Sequence, residues 1–306
     1  MKHNNRLTGP LLLLGAAVVW GFGFVAQDLG AVHVGGFTFQ ASRTALAALV
    51  LLLIVLVRDA VQRKKGTYVP MAKREMGQLL LGGVLCGAVL CAATAFQQFG
   101  IANNVTSPGK DAFITALYIV MVPLFGLFVG RRARWHVYVC VVFAVVGLWL
   151  LCMSGSTLSL GDVQVICSAA IFAVHILLLD YFAPRVDGLK LSFVQFSTVA
   201  IVSAILMLIF EQPRMEAIIA ASGAILYAGL GSTAAGYTLQ ILGQRRTPST
   251  LASLIMSLES VFAVVASAIL LPELTPFTMR EVMGMVIIFV AIICAQLEPK
   301  GKKKFA

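Results

Sequence analysis

The chain has 306 residues, 59% of them hydrophobic and only 12% charged, against about 25% charged residues in ordinary soluble domains. That deficit excludes a soluble globular protein, and it makes the formal charge of +10 a statement about orientation in a bilayer rather than about nucleic acid. Segments of roughly ten residues with alternating polarity, the mark of a membrane β-barrel, do not appear, so the expected class is an all-α integral membrane protein.

A spanning helix needs roughly 20 mostly apolar residues. Ten such runs follow one another, at about 9–28, 36–57, 76–98, 107–129, 135–153, 160–182, 190–210, 218–241, 249–271 and 278–297. The first run follows a basic head, as a signal peptide would. It is long and carries no convincing small-residue cleavage site, so it reads as a retained helix. The links between runs are short, and none is large enough for a soluble domain.

The basic residues alternate with these runs. With a cytoplasmic N-terminus, the inside segments hold Lys2 and Arg6, then Arg58, Arg63, Lys64, Lys65, Lys73 and Arg74, then Arg131, Arg132 and Arg134. They continue with Arg185 and Lys190, Arg245 and Arg246, and Lys300, Lys302, Lys303 and Lys304. The outside segments hold only Arg214 and Arg280, while Arg43 and Lys110 fall within spans. This asymmetry predicts an even number of spans in the cytoplasmic membrane, with both termini cytoplasmic.

The two halves look alike. Phe37-Thr38-Phe39 in the second run resembles Leu191-Ser192-Phe193 in the seventh, and Asp28 ends the first run much as Asp180 ends the sixth. LYIVMVPLFGLFVG (117–130) aligns without gaps to LIMSLESVFAVVAS (254–267). Five is odd, so a second copy of a five-helix unit must enter from the opposite face. The expected architecture is ten transmembrane helices in two inverted five-helix repeats, 9–153 and 160–297. Such repeats build transporters with a site near the midplane.

Particular segments carry a resemblance to a known family. LGQRRTPSTLASLIMSLESVFAVVASAILLPELTPFTMREVMGMVIIFVAII (242–293) resembles the second signature half of EamA-type transporters of the drug/metabolite transporter superfamily. The features are Gly243-Gln244-Arg245-Arg246-Thr247, Ser257-Leu258-Glu259-Ser260-Val261-Phe262-Ala263 and Pro272-Glu273-Leu274-Thr275. The first half is similar through VVWGFGFVAQ (18–27), FQASRTALAAL (39–49) and TSPGKDAFITALYIVMVP (106–123). Two departures stand out. Ser260 occupies the place of a proline usual after the glutamate, and GRRARW (130–135) replaces a glutamate usual at the end of the fourth span. The resemblance implies a carrier whose spans 1–4 and 6–9 line a central cavity, with spans 5 and 10 at the periphery. It also implies transport of amino acids, other small metabolites and some drugs, often outward.

Ionisable groups inside a bilayer are costly, so each one raises a functional expectation. Lys110 and Asp111 open the fourth run. On helical spacing, Lys110, Ile114, Leu117, Tyr118 and Met121 form one stripe, and Asp111, Thr115, Tyr118 and Val122 the next. That strip suits a zwitterion, with the ammonium for a carboxylate. The alternative is a lysine snorkelling to the headgroups beside an aspartate at a helix N-terminus. Glu259 sits mid-span and must be protonated, paired or wet. It is a candidate for substrate or proton binding, and equally for a structural tie. Trp20, Gln98, Tyr237, Gln240 and His175 complete the expected substrate-binding set, with a packing role open for each.

Arg43 is assigned a structural or gating role, through Asp28 or by reaching outward. Gly21, Gly23 and Pro123 loosen the helix ladder and are candidate hinges. Gly83 and Gly87, and the serines 249, 253, 257 and 260, suit close helix packing. The six cysteines, Cys86, Cys91, Cys140, Cys152, Cys167 and Cys294, all lie in apolar runs and read as small hydrophobes, with no disulfide, metal or cofactor expected.

The leading expectation is therefore a secondary transporter, an exporter of small organic metabolites such as amino acids, with no nucleotide-binding motif to drive it by ATP. The expected partners are a small-molecule substrate and the lipid bilayer, with no nucleic acid, and spans 5 and 10 leave a surface for a possible homodimer. The alternative is a membrane-embedded enzyme acting on a lipid-linked substrate, which would show clustered acidic, histidine or arginine side chains at the membrane surface. A sensor or scaffold would need a larger loop than the basic link from Arg58 to Glu75.

Overall fold

The computed structural model describes residues 7–104, 108–130, 135–152, 159–272 and 278–296. The described residues fold into helices with no strand. In chain order these are α1 (Thr8–Ala31), α2 (Gly36–Lys64), α3 (Lys73–Asn103), α4 (Pro108–Thr115), α5 (Tyr118–Gly126), α6 (Trp135–Cys152) and α7 (Leu160–Phe182). They continue with α8 (Gly188–Phe210), α9 (Met215–Ala220), α10 (Ser222–Leu226), a π-helical stretch (Tyr227–Gly236), α11 (Tyr237–Gln244), α12 (Ser249–Ser257), α13 (Glu259–Leu270) and α14 (Met279–Gln296).

Among the described residues, seven helical segments are long and apolar enough to cross a membrane: Thr8–Ala31, Gly36–Lys64, Lys73–Asn103, Pro108–Gly126, Leu160–Phe182, Gly188–Phe210 and Leu251–Leu270. The chain is a multi-pass membrane protein. The three other apolar runs fall on α6, on the broken series α9 to α11, and on α14. Exposed leucine, isoleucine, valine and phenylalanine side chains cover the outside of the bundle, as a lipid-facing surface requires.

Helix pairing follows the placement of small residues. α3 packs closely on α7 and α8, α2 on α8, α6 on α14, and α1 on α13, α11 and the π-helical stretch. Two glycines show how tight this is. A Cβ at Gly87 would stand 2.7 Å from the Gln195 carbonyl of α8, and one at Gly21 would stand 2.9 Å from the Ala263 amide of α13. Backbone cannot yield as a side chain can, so only glycine permits these approaches.

α2 and α8 run antiparallel and are tied at both ends. At one end the Glu211 carboxylate accepts from the amides of Phe37 and Thr38, each at 2.8 Å, and from the Thr38 hydroxyl at 2.6 Å. This caps the first turn of α2, where backbone donors have no helical partner and negative charge is favoured. At the other end Arg58 donates to Asp187 at 2.9 Å, and Lys190 meets Asp59 at 2.8 Å. Asp187 also caps α8 by accepting from the Lys190 amide at 3.0 Å.

Three of the ten runs are not the uninterrupted helices that hydropathy alone predicts. The fourth breaks between Thr115 and Tyr118, where the ladder tightens to Leu117 N–H on Ile114 O at 3.1 Å and Ile119 N–H on Ala116 O at 3.1 Å. Pro123 lies just beyond; it carries no N–H, and its ring crowds the carbonyl four residues back. The ninth breaks at Leu258, and the Ser260 hydroxyl donates to Ser257 O at 2.8 Å, satisfying a carbonyl at the break. The eighth carries ten residues in π-helical form, Tyr227–Gly236, a conformation found chiefly at functional positions.

Candidate functional site

The three interrupted apolar runs converge on a pocket inside the bundle. α1 contributes Trp20, Phe24 and Gln27; α2 contributes Arg43; α3 contributes Gln97. Thr115 and Tyr118 flank the break between α4 and α5, while Met256 and Glu259 flank the break between α12 and α13. Phe172 and Ile176 come from α7, Ser232 from the π-helical stretch, and Tyr237 and Gln240 from α11. The space between atoms, including what opens to the outside, is about 480 Å³, room for a few waters or part of a compact solute.

The chemistry of the wall is mixed by design of the helix period. Trp20, Phe24 and Gln27 lie one turn apart on α1, and Tyr237 and Gln240 one turn apart on α11. The Trp20 ring stands 4.8 Å from the Tyr237 ring, and its indole N–H donates to Ser232 O at 3.0 Å. That bond ties α1 to the π-helical stretch. Tyr237 also meets Phe196 of α8 at 5.4 Å.

Arg43 and Glu259 give the pocket a basic and an acidic pole. Both are buried, at 3% and 4% exposure. Arg43 donates to Gln27 Oε1 at 3.5 Å and lies over the Phe39 ring, its Cζ 5.6 Å from the centroid. Among the described residues, Arg43 Nε, the Tyr118 hydroxyl and Gln240 Oε1 are buried with no hydrogen-bond partner in the protein. Folded proteins pair most of their buried polar atoms, and these three belong to side chains that line the pocket, so donors and an acceptor are on offer to a solute here.

Of the residues singled out from the sequence, Trp20, Tyr118, Tyr237, Gln240 and Glu259 line the pocket, and Arg43 joins them. Gly21 packs on α13 and Gly23 on Ser232, beside the pocket. Pro123 lies in α5, one turn beyond Tyr118. Gln98 is fully buried one position from the wall and donates to Gln27 O at 3.1 Å, joining α3 to α1. His175 is fully buried behind the wall, 3.3 Å from Gln195 Oε1, with its ring 6.2 Å from that of Tyr237.

Lys110 and Asp111 do not line this pocket. Lys110 Nζ meets Asp162 of α7 at 3.3 Å, both side chains buried. Asp111 accepts from Asn104 Nδ2 at 2.6 Å, and Asn104 Oδ1 accepts from the Ser159 hydroxyl at 2.8 Å. Ser159 and Asp162 form the capping box of α7, with the Asp162 amide donating to Ser159 Oγ at 2.9 Å. Two adjacent charges of α4 are thus woven into one network that fastens α3 and α4 to the start of α7. The basic segment 131–134, the tails and the stretch Glu273-Leu274-Thr275 lie outside the described residues.

The wall residues that sequence reasoning missed are Phe24, Gln27, Gln97, Thr115, Phe172, Ile176, Ser232 and Met256. Spacing could have found Phe24 and Gln27, four and seven positions after Trp20. Gln97 donates to Thr115 Oγ1 at 3.3 Å, a pairing with no local signature.

A helical membrane protein with a polar, two-poled pocket between its spans is built as a carrier is built. The model of the EamA-like transporter family matches residues 7–153 and again 159–296, and the chain belongs to that family. A protein of Archaeoglobus fulgidus described as an uncharacterized transporter is 27% identical over 296 residues, covering 96% of this chain and 87% of its own length. A solved crystal structure shares the fold, with a TM-score of 0.66 at 19% identity over 95% of this chain and 97% of that one. The protein is a membrane transporter; it resides in a lipid bilayer and handles a small-molecule substrate.

Proposed function

We propose that the chain is a secondary carrier that exports small organic metabolites such as amino acids across the cytoplasmic membrane by alternating access, with both termini inside. The observation that carries this reading is the pocket itself. Arg43 suits a carboxylate, Glu259 an amine, and the aromatic rings of Trp20, Phe24 and Phe172 the apolar part of a compact zwitterion. Burial makes each pole selective, because a partner of the wrong charge leaves it unpaired at a cost of several kcal/mol. Lys110 and Asp111 then hold the wall in place rather than meeting the substrate.

Two inverted repeats, 9–153 and 160–297, account for the packing. Exchanging the halves turns the α3–α7 pairing into that of the π-helical stretch and α11 with α1, and returns α2–α8 and α6–α14 to themselves. The breaks at Ala116-Leu117 and Leu258 fall in equivalent spans, the fourth of each half. Both features support a pseudo-twofold axis passing near the pocket. The membrane-enzyme alternative draws no support from the surface cluster of Arg58, Asp59, Asp187 and Lys190, whose members pair with one another.

Transport in reconstituted vesicles tests the assignment, with the substrate found by comparing metabolite accumulation in cells lacking and overproducing the protein. Glu259→Gln and Arg43→Gln are each expected to lower transport at least 100-fold while the protein still folds, on the scale of a lost buried charge partner. Full transport by either variant would remove that pole from the site.

A further inference from the structure

A second concavity lies at the membrane surface, between the start of α1, the end of α7 and the end of α11. It is lined by Thr8, Leu12, Pro184, Leu242, Arg245 and Arg246, and encloses about 860 Å³ of space open to the outside. It sits on the face where Arg58 and Lys190 pair with Asp59 and Asp187. The stem of Arg245 passes 3.8 Å from where a Cβ on Gly188 would stand, next to Asp187.

The acidic side chains of that face are already engaged. Asp187 takes Arg58, and Asp59 takes Arg58 and Lys190. Arg245 and Arg246 are exposed, and among the described residues no acidic side chain lines the groove and neither arginine has a side-chain partner. The start of α1, a 24-residue helix, adds the positive end of its dipole at Thr8. Below the charges the floor is apolar, Leu12 and Leu242, and Leu11 beside it is 63% exposed.

Two unneutralised guanidiniums at headgroup level, above leucines at acyl-chain level, match one kind of molecule. Arginine binds phosphate oxygens through paired N–H donors, and basic pockets between transmembrane helices take anionic lipid headgroups. We infer that this groove holds the phosphate headgroup of an anionic phospholipid, with a chain laid along Leu11, Leu12 and Leu242. The lipid would wedge α1 against the ends of α7 and α11, the helices that carry Trp20, Ile176 and Tyr237 to the pocket.

Native mass spectrometry of the purified full chain, titrated with phosphatidylglycerol or phosphatidylcholine, tests this. The wild type is expected to prefer phosphatidylglycerol by about 10-fold or more, from two neutralised charges. The Arg245→Gln/Arg246→Gln variant should lose that preference, and Arg245→Lys/Arg246→Lys should keep part of it. Equal uptake of both lipids by the wild type overturns the inference, whether or not the glutamine variant folds. So does a glutamine variant that keeps the preference. Displacement of phosphatidylglycerol by millimolar inorganic phosphate would make the ligand a soluble anion and end the lipid assignment.

Discussion

Lys110 and Asp162 form a buried ion pair at 3.3 Å, with side-chain exposures of 5% and 1%. Breaking such a pair from one side strands a charge and costs about 3–5 kcal/mol, whereas removing both charges is often nearly neutral. Lys110→Ala is therefore expected to lower the thermal stability of the detergent-solubilised protein sharply. Lys110→Ala with Asp162→Ala should recover most of the loss, and the cycle isolates the pair. A lysine that served only the substrate would lose transport without this stability signature. Glu259 and Arg43 differ in kind, because each faces the pocket as well as the protein. Their loss is expected to register in transport before it registers in melting.

The breaks in the spans belong to the element scale, and proline scanning reads them. Ser260 is the second residue of α13 and follows the interruption at Leu258. Proline is accepted in the first turn of a helix, where the N–H it lacks has no helical partner. Ser260→Pro is thus expected to leave stability within about 1 kcal/mol, but Ala263→Pro, inside α13, to cost about 3 kcal/mol or more. Similar losses at both positions would mean a continuous ninth span. The apolar runs were legible in the sequence because hydropathy over twenty residues is a sum, tolerant of local detail. The interruptions were not, since a π-helical stretch through YAGLGSTAAG differs from an α-helix by hydrogen-bond register and by neighbours such as Trp20. The site was legible where a single residue announced itself. Glu259, Tyr237 and Trp20 are rare enough mid-span to draw notice, but Gln97, Thr115 and Ser232 are common polar residues whose facing depends on helix rotation. The adjacent charges at 110 and 111 lie off this pocket for the same reason: their partners, Asp162 and Asn104, are set by packing.

At the scale of the molecule, the inverted repeat proposed above makes a geometric demand. Thr67, in the link after α2, and Gln212, in the link after α8, are both exposed, and under the proposed repeat they follow equivalent spans. Inversion puts them on opposite sides. With native cysteines replaced, Thr67→Cys should react with an impermeant maleimide only in inside-out vesicles, and Gln212→Cys only in right-side-out ones. Labelling of both from one side would undo the repeat assignment and the direction of export built on it.

The pairing of α2 with α8 constrains how such a molecule can move. Glu211 holds the first turn of α2 at one rim, and the Arg58–Asp187 and Lys190–Asp59 contacts hold the opposite rim. Under the alternating access proposed above, a strut pinned at both ends is the part least suited to splay and admit a solute from either side. It is suited to serve as the pivot, leaving the stroke to the interrupted spans on its flanks, so a disulfide stapling α2 to α8 is a handle for stiffening the machine without jamming it.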